Sequence, residues 1–460
     1  MTARVLMVAL DGADGTRLDR WSADGSLPNL AKLRERGLAK AMSAPVGVTD
    51  DGLWASFQYA CGLGEHGRYH YLQRNGGGAF DMAFRAEASR PRFWDSLSAA
   101  GRRVAVLDVP KCAPPRPING VHLADWMVHG RYFDAPLSYP EPLAAEVVGR
   151  FGVAPRSLCD HPVPCPGDAE AHELIANLST SLERKRAAAL HLLSTEPWDL
   201  FLVAFKEAHC AGHAFWELTD DGASEDASAR NLRLGDPYRT VLTQLDAMIG
   251  DLVEAAGPDA AVVIFGTTEM EPNGTIAHLL PQIVSRMNRR LGDTLAAKAV
   301  RRVRGRLTRR NAPPPCELLP YTENCAAFRL TPRRRVAGLL SPAPDEPGRL
   351  ADAVAEIMRG ITDAETGRPV AASVDRPSAQ LPGGRSETLP DMLVRIASGL
   401  APRAVVSPSL GRIEGEPPDM RPGNHALGGG VVFLTGAATA SAESVGAIED
   451  LGPLVQRLLA

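Results

Sequence analysis

The feature that most constrains the fold is a series of short apolar segments that alternate with amphipathic segments along the chain. The apolar segments have the length and bulk of buried strands, and they are Val5–Leu10, Val104–Val109, Leu200–Phe205, Ala261–Phe265 and Val431–Leu434. The amphipathic segments carry apolar residues at helical spacing, and they include Pro28–Arg36, Leu182–Leu193, Pro237–Ala256 and Leu350–Ile361. This alternation predicts an α/β fold: a three-layer αβα sandwich with a mainly parallel central sheet.

The sequence changes in character between residues 276 and 405, where basic and proline-rich stretches interrupt the alternating pattern. Residues 286–310 contain ten Lys or Arg residues and one acidic residue, and a run of three prolines begins at Pro313. The last apolar segments then resume the earlier pattern. We therefore predict a catalytic core formed by residues 1–275 and 406–460, with an inserted cap or loop-rich subdomain between them.

Charge and hydropathy exclude several classes of protein. The 460 residues carry a formal net charge of -4, which argues against nucleic acid as the main partner. No apolar run reaches the roughly 18 residues of a membrane-spanning helix, and the first apolar run is too short for a secretory signal. For the basic stretch at 286–310 two interpretations are open: a solvated helix face, or a surface that contacts phosphate groups or a membrane.

The number and spacing of the cysteines indicate the redox state of the compartment in which the protein resides. The seven cysteines are scattered and odd in number, and none belongs to a Cys-x-x-Cys pair. This usage predicts reduced thiols in a cytoplasmic protein rather than a disulfide framework.

Polar residues come directly after two of the predicted strands. Asp11 follows the first strand, and His209 and His213 follow the strand that ends at Phe205. Two histidines four positions apart can face one metal ion from a single turn of helix. Ligands of open α/β sheets bind at the carboxyl ends of the strands, which is where these residues are expected. The alternatives are a helix cap for Asp11 and a polar helix start or satisfied core groups for the histidines.

A third segment combines a hydroxyl with carboxylates. Thr49, Asp50 and Asp51 precede an apolar helical run. A hydroxyl at a helix N-terminus is suited to act as a nucleophile on an anionic group. A simple helix cap is the alternative interpretation.

Several motifs together resemble a known family. They are Asp11 after the first strand, Thr-x-x-x-x-Trp-Ala-Ser-Phe at 49–57, Glu-x-His-x-x-Gly-His at 207–213, and the stretches at 328–330, 363–370 and 423–426. In this order they resemble the type I phosphodiesterases/nucleotide pyrophosphatases of the alkaline phosphatase superfamily. The resemblance spans nearly the whole chain and implies an alkaline phosphatase-like core.

The resemblance also implies metal sites. Family members carry two divalent metal ions, usually zinc. One ion would be held by His209, His213 and His425, where His209 stands in place of the family's Asp and imidazole remains a good zinc ligand. The second ion takes the Asp after the first strand, here Asp11, the nucleophile, and an Asp-His pair after a later strand.

The expected Asp-His pair is Thr267-Thr268 in this sequence. Hydroxyls are poor zinc ligands, so the resemblance implies one zinc site and leaves the second in doubt. Compensation by Glu269, Glu271, Asp50 or Asp51 would suit magnesium or manganese as well as zinc.

The resemblance places the nucleophile at Thr49 if one residue is inserted, and at Asp50 without a gap. Weaker expectations for substrate binding fall on Asp51, His66, Glu207, Thr267, Thr268 and Arg329. Among these, Glu207 would orient an imidazole as a hydrogen-bond acceptor, and Arg329 would bind a phosphate oxygen.

These observations predict a metal-dependent hydrolase or group transferase acting on a small-molecule phosphate monoester or diester, or on a sulfate ester. Thr49 or a metal-bound water would be the nucleophile. The alternative is a catalytically inactive relative that keeps one metal for binding or structure. A third hypothesis is an anion-binding protein that uses the basic stretch and responds strongly to salt.

Overall fold

The computed structural model of the chain describes residues 3–44, 50–75, 78–86, 88, 90–156, 167–219, 224–292, 314–331, 346–426 and 430–460. The chain divides into two compact units. Unit 1 comprises Met1–Pro272 and Asp419–Ala460, and unit 2 comprises Asn273–Pro418.

The strands, in chain order, are β1 (Ala3–Leu10), β2 (Leu38–Ala41), β3 (Leu72–Arg74), β4 (Phe80–Met82), β5 (Val104–Leu107), β6 (Gly120–Ala124), β7 (Leu137–Tyr139), β8 (Trp198–Phe205), β9 (Ala261–Gly266), β10 (Met270–Pro272), β11 (Cys316–Leu319), β12 (Cys325–Leu330), β13 (Thr362–Asp363), β14 (Ala371–Asp375), β15 (Met392–Ile396), β16 (Ala404–Ser407), β17 (Gly411–Glu414), β18 (Gly423–His425) and β19 (Val431–Thr435).

The α-helices are α1 (Gly15–Ala23), α2 (Pro28–Arg36), α3 (Asp50–Tyr59), α4 (Leu63–His66), α5 (Phe93–Ala99), α6 (Pro142–Phe151), α7 (Asp168–Thr195), α8 (Glu207–Phe215), α9 (Glu225–Arg233), α10 (Pro237–Ala256), α11 (Leu280–Gly292), α12 (Glu346–Arg359), α13 (Pro377–Gln380) and α14 (Leu451–Leu458).

An eight-stranded sheet forms the centre of unit 1, in the order β2-β19-β9-β1-β8-β5-β6-β7. The five strands from β9 to β6 are parallel, and the strands at both edges are antiparallel. Helices flank the sheet, so the predicted α/β class with a mainly parallel sheet is confirmed. The predicted strand at 431–434 is present as β19, and it runs antiparallel to its neighbours.

The central strands are apolar because both of their faces are covered. Nearly every side chain of β1 and all those of β9 are buried, and β8 is buried almost throughout. Such strands read as continuous apolar runs rather than as alternating patterns. The predicted strand at 104–109 ends early, at Leu107, because Asp108 has a left-handed backbone with φ 56°.

The parallel pairing brings several strand ends to one edge of the sheet. Leu10 of β1 is in register with Phe205 of β8 and with Gly266 of β9. Leu107, the last residue of β5, is in register with Val203 of β8. The residues that follow these four strands therefore emerge at the same carboxyl edge.

Unit 2 has its own sheets and its own apolar core. A four-stranded antiparallel sheet has the order β11-β12-β15-β14, and a three-stranded sheet has the order β13-β16-β17. Residues 406–418, which were predicted to belong to the core, are part of unit 2, where β16 pairs with both β13 and β17. Most of the basic stretch, residues 293–310, lies outside the described residues.

No helix in the described ranges is long and apolar enough to cross a membrane. Cys61, Cys112, Cys316 and Cys325 are free and buried. Cys210 is disulfide-bonded, which departs from the expectation of reduced thiols throughout.

A buried ion pair connects two layers of unit 1. The Lys185 ammonium on α7 lies 3.2 Å from an Asp108 carboxylate oxygen, and both side chains are 1% exposed. The ammonium also donates to the backbone oxygens of Met127 and Ala204, at 3.1 and 3.0 Å. Asp108 in turn accepts from the backbone N–H groups of Trp126 and Met127, both at 2.8 Å. Every charged atom of the pair is thus hydrogen-bonded.

Removal of one partner should leave the other charge unpaired in the core. We expect Lys185→Met to lower the free energy of unfolding by about 3–5 kcal/mol, since breaking a buried pair leaves an uncompensated ion. Urea denaturation followed by circular dichroism would measure the loss. Arg34 forms an exposed pair with Asp19, with side chains 44% and 48% exposed. The control variant Arg34→Met should cost less than about 1 kcal/mol, and equal losses in the two variants would contradict the prediction.

Candidate active site

Three imidazoles converge at the carboxyl edge of the central sheet. The ring centroids of His209 and His213 are 4.4 Å apart, and that of His425 lies 4.7 Å from the first and 4.8 Å from the second. One ring nitrogen of each residue lies within 4.8 Å of the other two. The Nε2 atoms of His209 and His213 are 3.1 Å apart. This separation suits two ligands of one zinc ion, because Zn–N bonds are about 2.0–2.1 Å long.

The backbone orients these rings. Helix α8 follows β8 directly, and its period places His209 and His213 on one face. His213 Nδ1 donates to the carbonyl oxygen of Gly423 at 2.7 Å, so its Nε2 is left with a lone pair. Gly423 begins β18, which pairs with β10 and ends at His425. The same short strand therefore orients one imidazole and carries another.

Gly12 permits the close approach of these elements. It follows Asp11 and has φ +59°, a left-handed conformation that favours glycine. A Cβ atom at this position would lie 2.9 Å from the Cα of His209 and 3.2 Å from Cε1 of His425. A larger residue would therefore push the helix and the strand away from the end of β1.

The protonation state of the three residues fits a divalent ion. Burial lowers the pKa of His209 and of His213 well below the ordinary value, and it lowers the pKa of His425 to about 4. All three rings are thus neutral at neutral pH, which is the form that binds metals. Within the described residues, Nδ1 of His209 is buried and has no hydrogen-bond partner.

A pair of carboxylates lies beside the histidines. Asp11 Oδ1 accepts a hydrogen bond from Trp54 Nε1 at 3.0 Å and a longer one from the Thr267 hydroxyl at 3.4 Å. Burial and the Asp50 carboxylate raise the pKa of Asp11 well above its usual range, and His425 opposes that shift. Burial also raises the pKa of Asp50 to about 6. These carboxylates therefore lie in an environment that disfavours two negative charges.

Both hydroxyls that replace the family's Asp-His pair are engaged with neighbouring groups. Thr267 Oγ1 accepts from the backbone N–H of Gly12 at 3.1 Å and lies near Asp11. Thr268 Oγ1 is hydrogen-bonded to Nδ1 of His425 at 2.8 Å. Within the described part of the chain, Asp11 belongs to no cluster of three metal-binding side chains. The threonines thus position the neighbouring Asp11 and His425.

Two residues of this edge were not predicted. The Lys111 ammonium lies 2.9 Å from an Asp51 oxygen, and the ring of His129 lies 4.1 Å from that of His209. Both occur in segments that follow parallel strands, β5 and β6, and the position of Lys111 after a predicted strand was an available signal. The sulfur of Cys210 lies near His129 and His209, but its disulfide removes the thiolate that a metal would need.

The remaining predicted site residues have local partners. Glu207 Oε1 accepts from the Ser181 hydroxyl at 2.5 Å, and the Gly423 carbonyl performs the orienting role expected of Glu207. Arg329 lies in unit 2, where it forms an ion pair with Asp391 at 3.2 Å.

Thr49 lies outside the described residues, whereas Asp50 and Asp51 form the first turn of α3. The proposed roles of these residues in the reaction stay predictions.

The family follows from the sequence as a whole. The sequence profile described as "Type I phosphodiesterase / nucleotide pyrophosphatase" matches residues 5–394. The chain belongs to this family. Membership places it among the phosphoester hydrolases of the alkaline phosphatase superfamily, as the motifs predicted. No curated protein matches the sequence.

Solved structures share the fold at low sequence identity. Phosphonoacetate hydrolase from Sinorhizobium meliloti 1021, in complex with phosphonoformate, is 14% identical with a TM-score of 0.53, over 99% of this chain and 96% of that chain. Murine ectonucleotide pyrophosphatase / phosphodiesterase 5 is 12% identical with a TM-score of 0.53, over 99% and 95%. An inactive form of the murine protein in complex with AMP has a TM-score of 0.52 at 11% identity, over 99% and 95%.

The three-histidine cluster should control metal content. We expect His213→Ala to lower the affinity for zinc by more than the roughly 100-fold that loss of an outer hydrogen-bond partner can cost, because a direct ligand is removed. Competition with a chromophoric chelator would measure the affinity. His172 is exposed on α7, so the control variant His172→Ala should bind zinc as the wild type does. Unchanged affinity in the His213 variant would contradict the assignment.

His66 should make stability depend on pH. Its Nδ1 accepts from the backbone N–H of Arg68, and its Nε2 is hydrogen-bonded to the Ser56 hydroxyl, both at 3.0 Å. Burial lowers the pKa of His66 to about 3. The folded state thus keeps the ring neutral, while the unfolded state binds a proton below its ordinary pKa of about 6.5. Stability from this residue is therefore present at pH 7 and falls as the pH drops toward 3.

Between pH 7 and pH 5, the contribution of His66 to the free energy of unfolding should fall by about 2 kcal/mol. This corresponds to about 1.4 kcal/mol for each pH unit below 6.5. His66→Gln lacks the titrating group, so the stability gap between wild type and variant should narrow by this amount at pH 5. Urea denaturation at both pH values measures the gap. A gap that stays constant would show that His66 is not held neutral.

Proposed function

We propose that this protein is a metal-dependent hydrolase of a small-molecule phosphoester. The convergence of His209, His213 and His425 beside Asp11 carries the proposal, because neutral imidazoles packed at this distance are a ligand set for zinc. The family supplies the reaction class. The location of these residues at the carboxyl edge of the central sheet, where the ligands of such sheets bind, supports the proposal.

The three histidines would hold a single zinc ion, with Asp11 next to it as a further ligand or charged neighbour. Such an ion, when bound, stabilises negative charge on a phosphoryl oxygen. Magnesium and manganese fit less well, because they prefer oxygen ligands and this cluster offers nitrogen. The support for zinc is thus the chemistry of the donor set.

Thr49, or a water molecule in its place, is the proposed nucleophile. Asp50 follows it in the chain, begins α3 and has a buried Oδ1 atom with no hydrogen-bond partner in the described ranges. In the proposed step, the attacking hydroxyl passes its proton to Asp50 while the new P–O bond forms and the ester oxygen leaves. The leaving oxygen takes a proton from solvent, and Asp50 returns its proton to solvent. Where Thr49 is the nucleophile, a water molecule then attacks the phosphothreonine, which releases the phosphate product and restores the Thr49 hydroxyl.

The substrate class is proposed by comparison with the structural neighbours, which bind AMP and phosphonoformate. A phosphate monoester or diester is our first candidate. Sulfate esters remain a hypothesis that the assay below tests, and transfer of the group to an acceptor other than water stays a prediction. A cytoplasmic location stays a prediction, and the disulfide at Cys210 does not support it.

A catalytically inactive relative is the second candidate function. The observation that favours it is the hydrogen bonding of both threonines at the position of the family's Asp-His pair. Such a protein would keep zinc at the three histidines for structure or binding. It would bind zinc and turn over no ester.

Turnover by the zinc-loaded protein separates the two candidates. We expect hydrolysis of an aryl phosphate diester or monoester, and a fall of kcat/KM by at least about 100-fold in Thr49→Ala and in Asp50→Asn, because each removes a group that acts in the step. Thr180 Oγ1 donates to the carbonyl oxygen of Ala176 within helix α7, at 2.8 Å. The control variant Thr180→Ala should therefore keep the wild-type rate. Zinc binding without turnover of aryl phosphates or aryl sulfates would favour the inactive relative.

A further inference from the structure

Lys111 is a largely buried cation beside the candidate active site. Its Nζ lies 2.9 Å from Asp51 Oδ1, and the two side chains are 10% and 7% exposed. The ammonium also interacts with Tyr132, whose ring centroid is 5.4 Å away. Asp51 accepts a second hydrogen bond, from the backbone N–H of Tyr71 at 2.6 Å. This arrangement holds a full positive charge away from bulk water.

Helix α3 contacts both the backbone and the side-chain ammonium of Lys111. The side-chain amide of Gln58 donates to the carbonyl oxygens of Pro110 and Lys111, at 2.9 and 3.0 Å. Asp51, one residue into the same helix, holds the ammonium. Lys111 has φ 55°, a left-handed conformation that is unfavourable for a residue with a side chain and persists where the surroundings impose it. Residues of α3 therefore position both the backbone of Lys111 and its charged group.

The Lys111 ammonium lies beside the acidic residues at the start of α3. Asp51, whose Oδ1 atom is 2.9 Å from Lys111 Nζ, directly follows Asp50 in the first turn of this helix. The positive charge is therefore next to the helix turn that carries Asp50.

Lys185 is a buried lysine of unit 1 that has a different environment. Its ammonium has three partners, namely Asp108 and the backbone oxygens of Met127 and Ala204. Lys111 has two partners among the described residues, Asp51 and Tyr132. An ammonium has three donors. Among the described residues the third donor of Lys111 has no partner, whereas all three donors of Lys185 are used in the core.

The residues present do not fit a second metal ion. Thr267 and Thr268 replace its Asp-His pair and are hydrogen-bonded to Gly12 and His425. Asp51, which was considered as a replacement ligand, is held by Lys111 and Tyr71. No cluster of three metal-binding side chains within the described ranges includes Asp11 or Asp50.

We propose that the Lys111 ammonium takes the place of the second metal ion and binds a phosphoryl oxygen of the substrate beside the three-histidine site. This inference rests on the proposed function for the identity of the anion. It predicts one zinc ion per chain and an anion site with a divalent cation on one side and a lysine on the other.

The test combines metal counting with binding of inorganic phosphate to the full chain. Elemental analysis should find one equivalent of zinc in the wild type and in Lys111→Met. Calorimetric titration with inorganic phosphate should show affinity lower by about tenfold or more in Lys111→Met, as expected for loss of a charge-assisted hydrogen bond. Lys32 is exposed on α2, so the control variant Lys32→Met should bind phosphate as the wild type does.

Two further variants keep the test decisive. If Lys111→Met fails to fold because Asp51 is left unpaired, Lys111→Met/Asp51→Asn removes both charges and should still lose phosphate affinity. Adding Thr267→Asp and Thr268→His to Lys111→Met restores the family's ligand pair, and this variant should bind a second zinc ion and recover phosphate affinity.

Two zinc ions in the wild type would overturn the inference, as would wild-type phosphate affinity in a folded Lys111→Met variant. Phosphate binding is measured without turnover, so failure of the proposed function is distinguishable. A wild type that binds phosphate through Lys111 but hydrolyses no ester would remove the proposed hydrolase and leave the lysine's role intact.

Discussion

The candidate active site depends on the parallel pairing of β1 with β8 and β9. This pairing aligns the last residues of the three strands, so that Asp11, the start of α8 and Thr267 emerge at one edge of the sheet. A shift of the register would separate these groups along the strand axis by about 3.3 Å per residue. The apolar side chains of the central strands therefore set the distances within the polar site.

Burial determines the chemistry of that edge. Water would stabilise the charged forms of the imidazoles and carboxylates, and its exclusion leaves neutral histidines and two carboxylates with raised pKa values. The three histidines are a candidate ligand set for one cation, and Lys111 is a cation that belongs to the chain itself. With a metal ion bound at the histidines, such a site would attract an anionic substrate because its positive charges are held in place before the substrate arrives.

Much of the fold was predictable because buried parallel strands are continuous apolar runs, and β1, β8 and β9 were each located this way. His209 and His213 followed from helical spacing after a strand. His425 required the family resemblance, since its approach depends on the pairing of β18 with β10. Lys111 was missed because a lysine in a loop is usually exposed, and its burial depends on Asp51 and Gln58, which are distant in sequence. No local sequence pattern around Cys210 predicts that this residue forms a disulfide.

Unit 2 is inserted between the two parts of unit 1, and this order has a consequence for synthesis on the ribosome. Strand β19, which covers the outer edge of β9, is made only after all of unit 2. Until then the nascent sheet presents the open hydrogen-bonding edge of an apolar strand, a surface prone to wrong pairing. His425, the third histidine of the candidate site, is made equally late. The central sheet of unit 1 can therefore be completed only after the C-terminal segment has been synthesised.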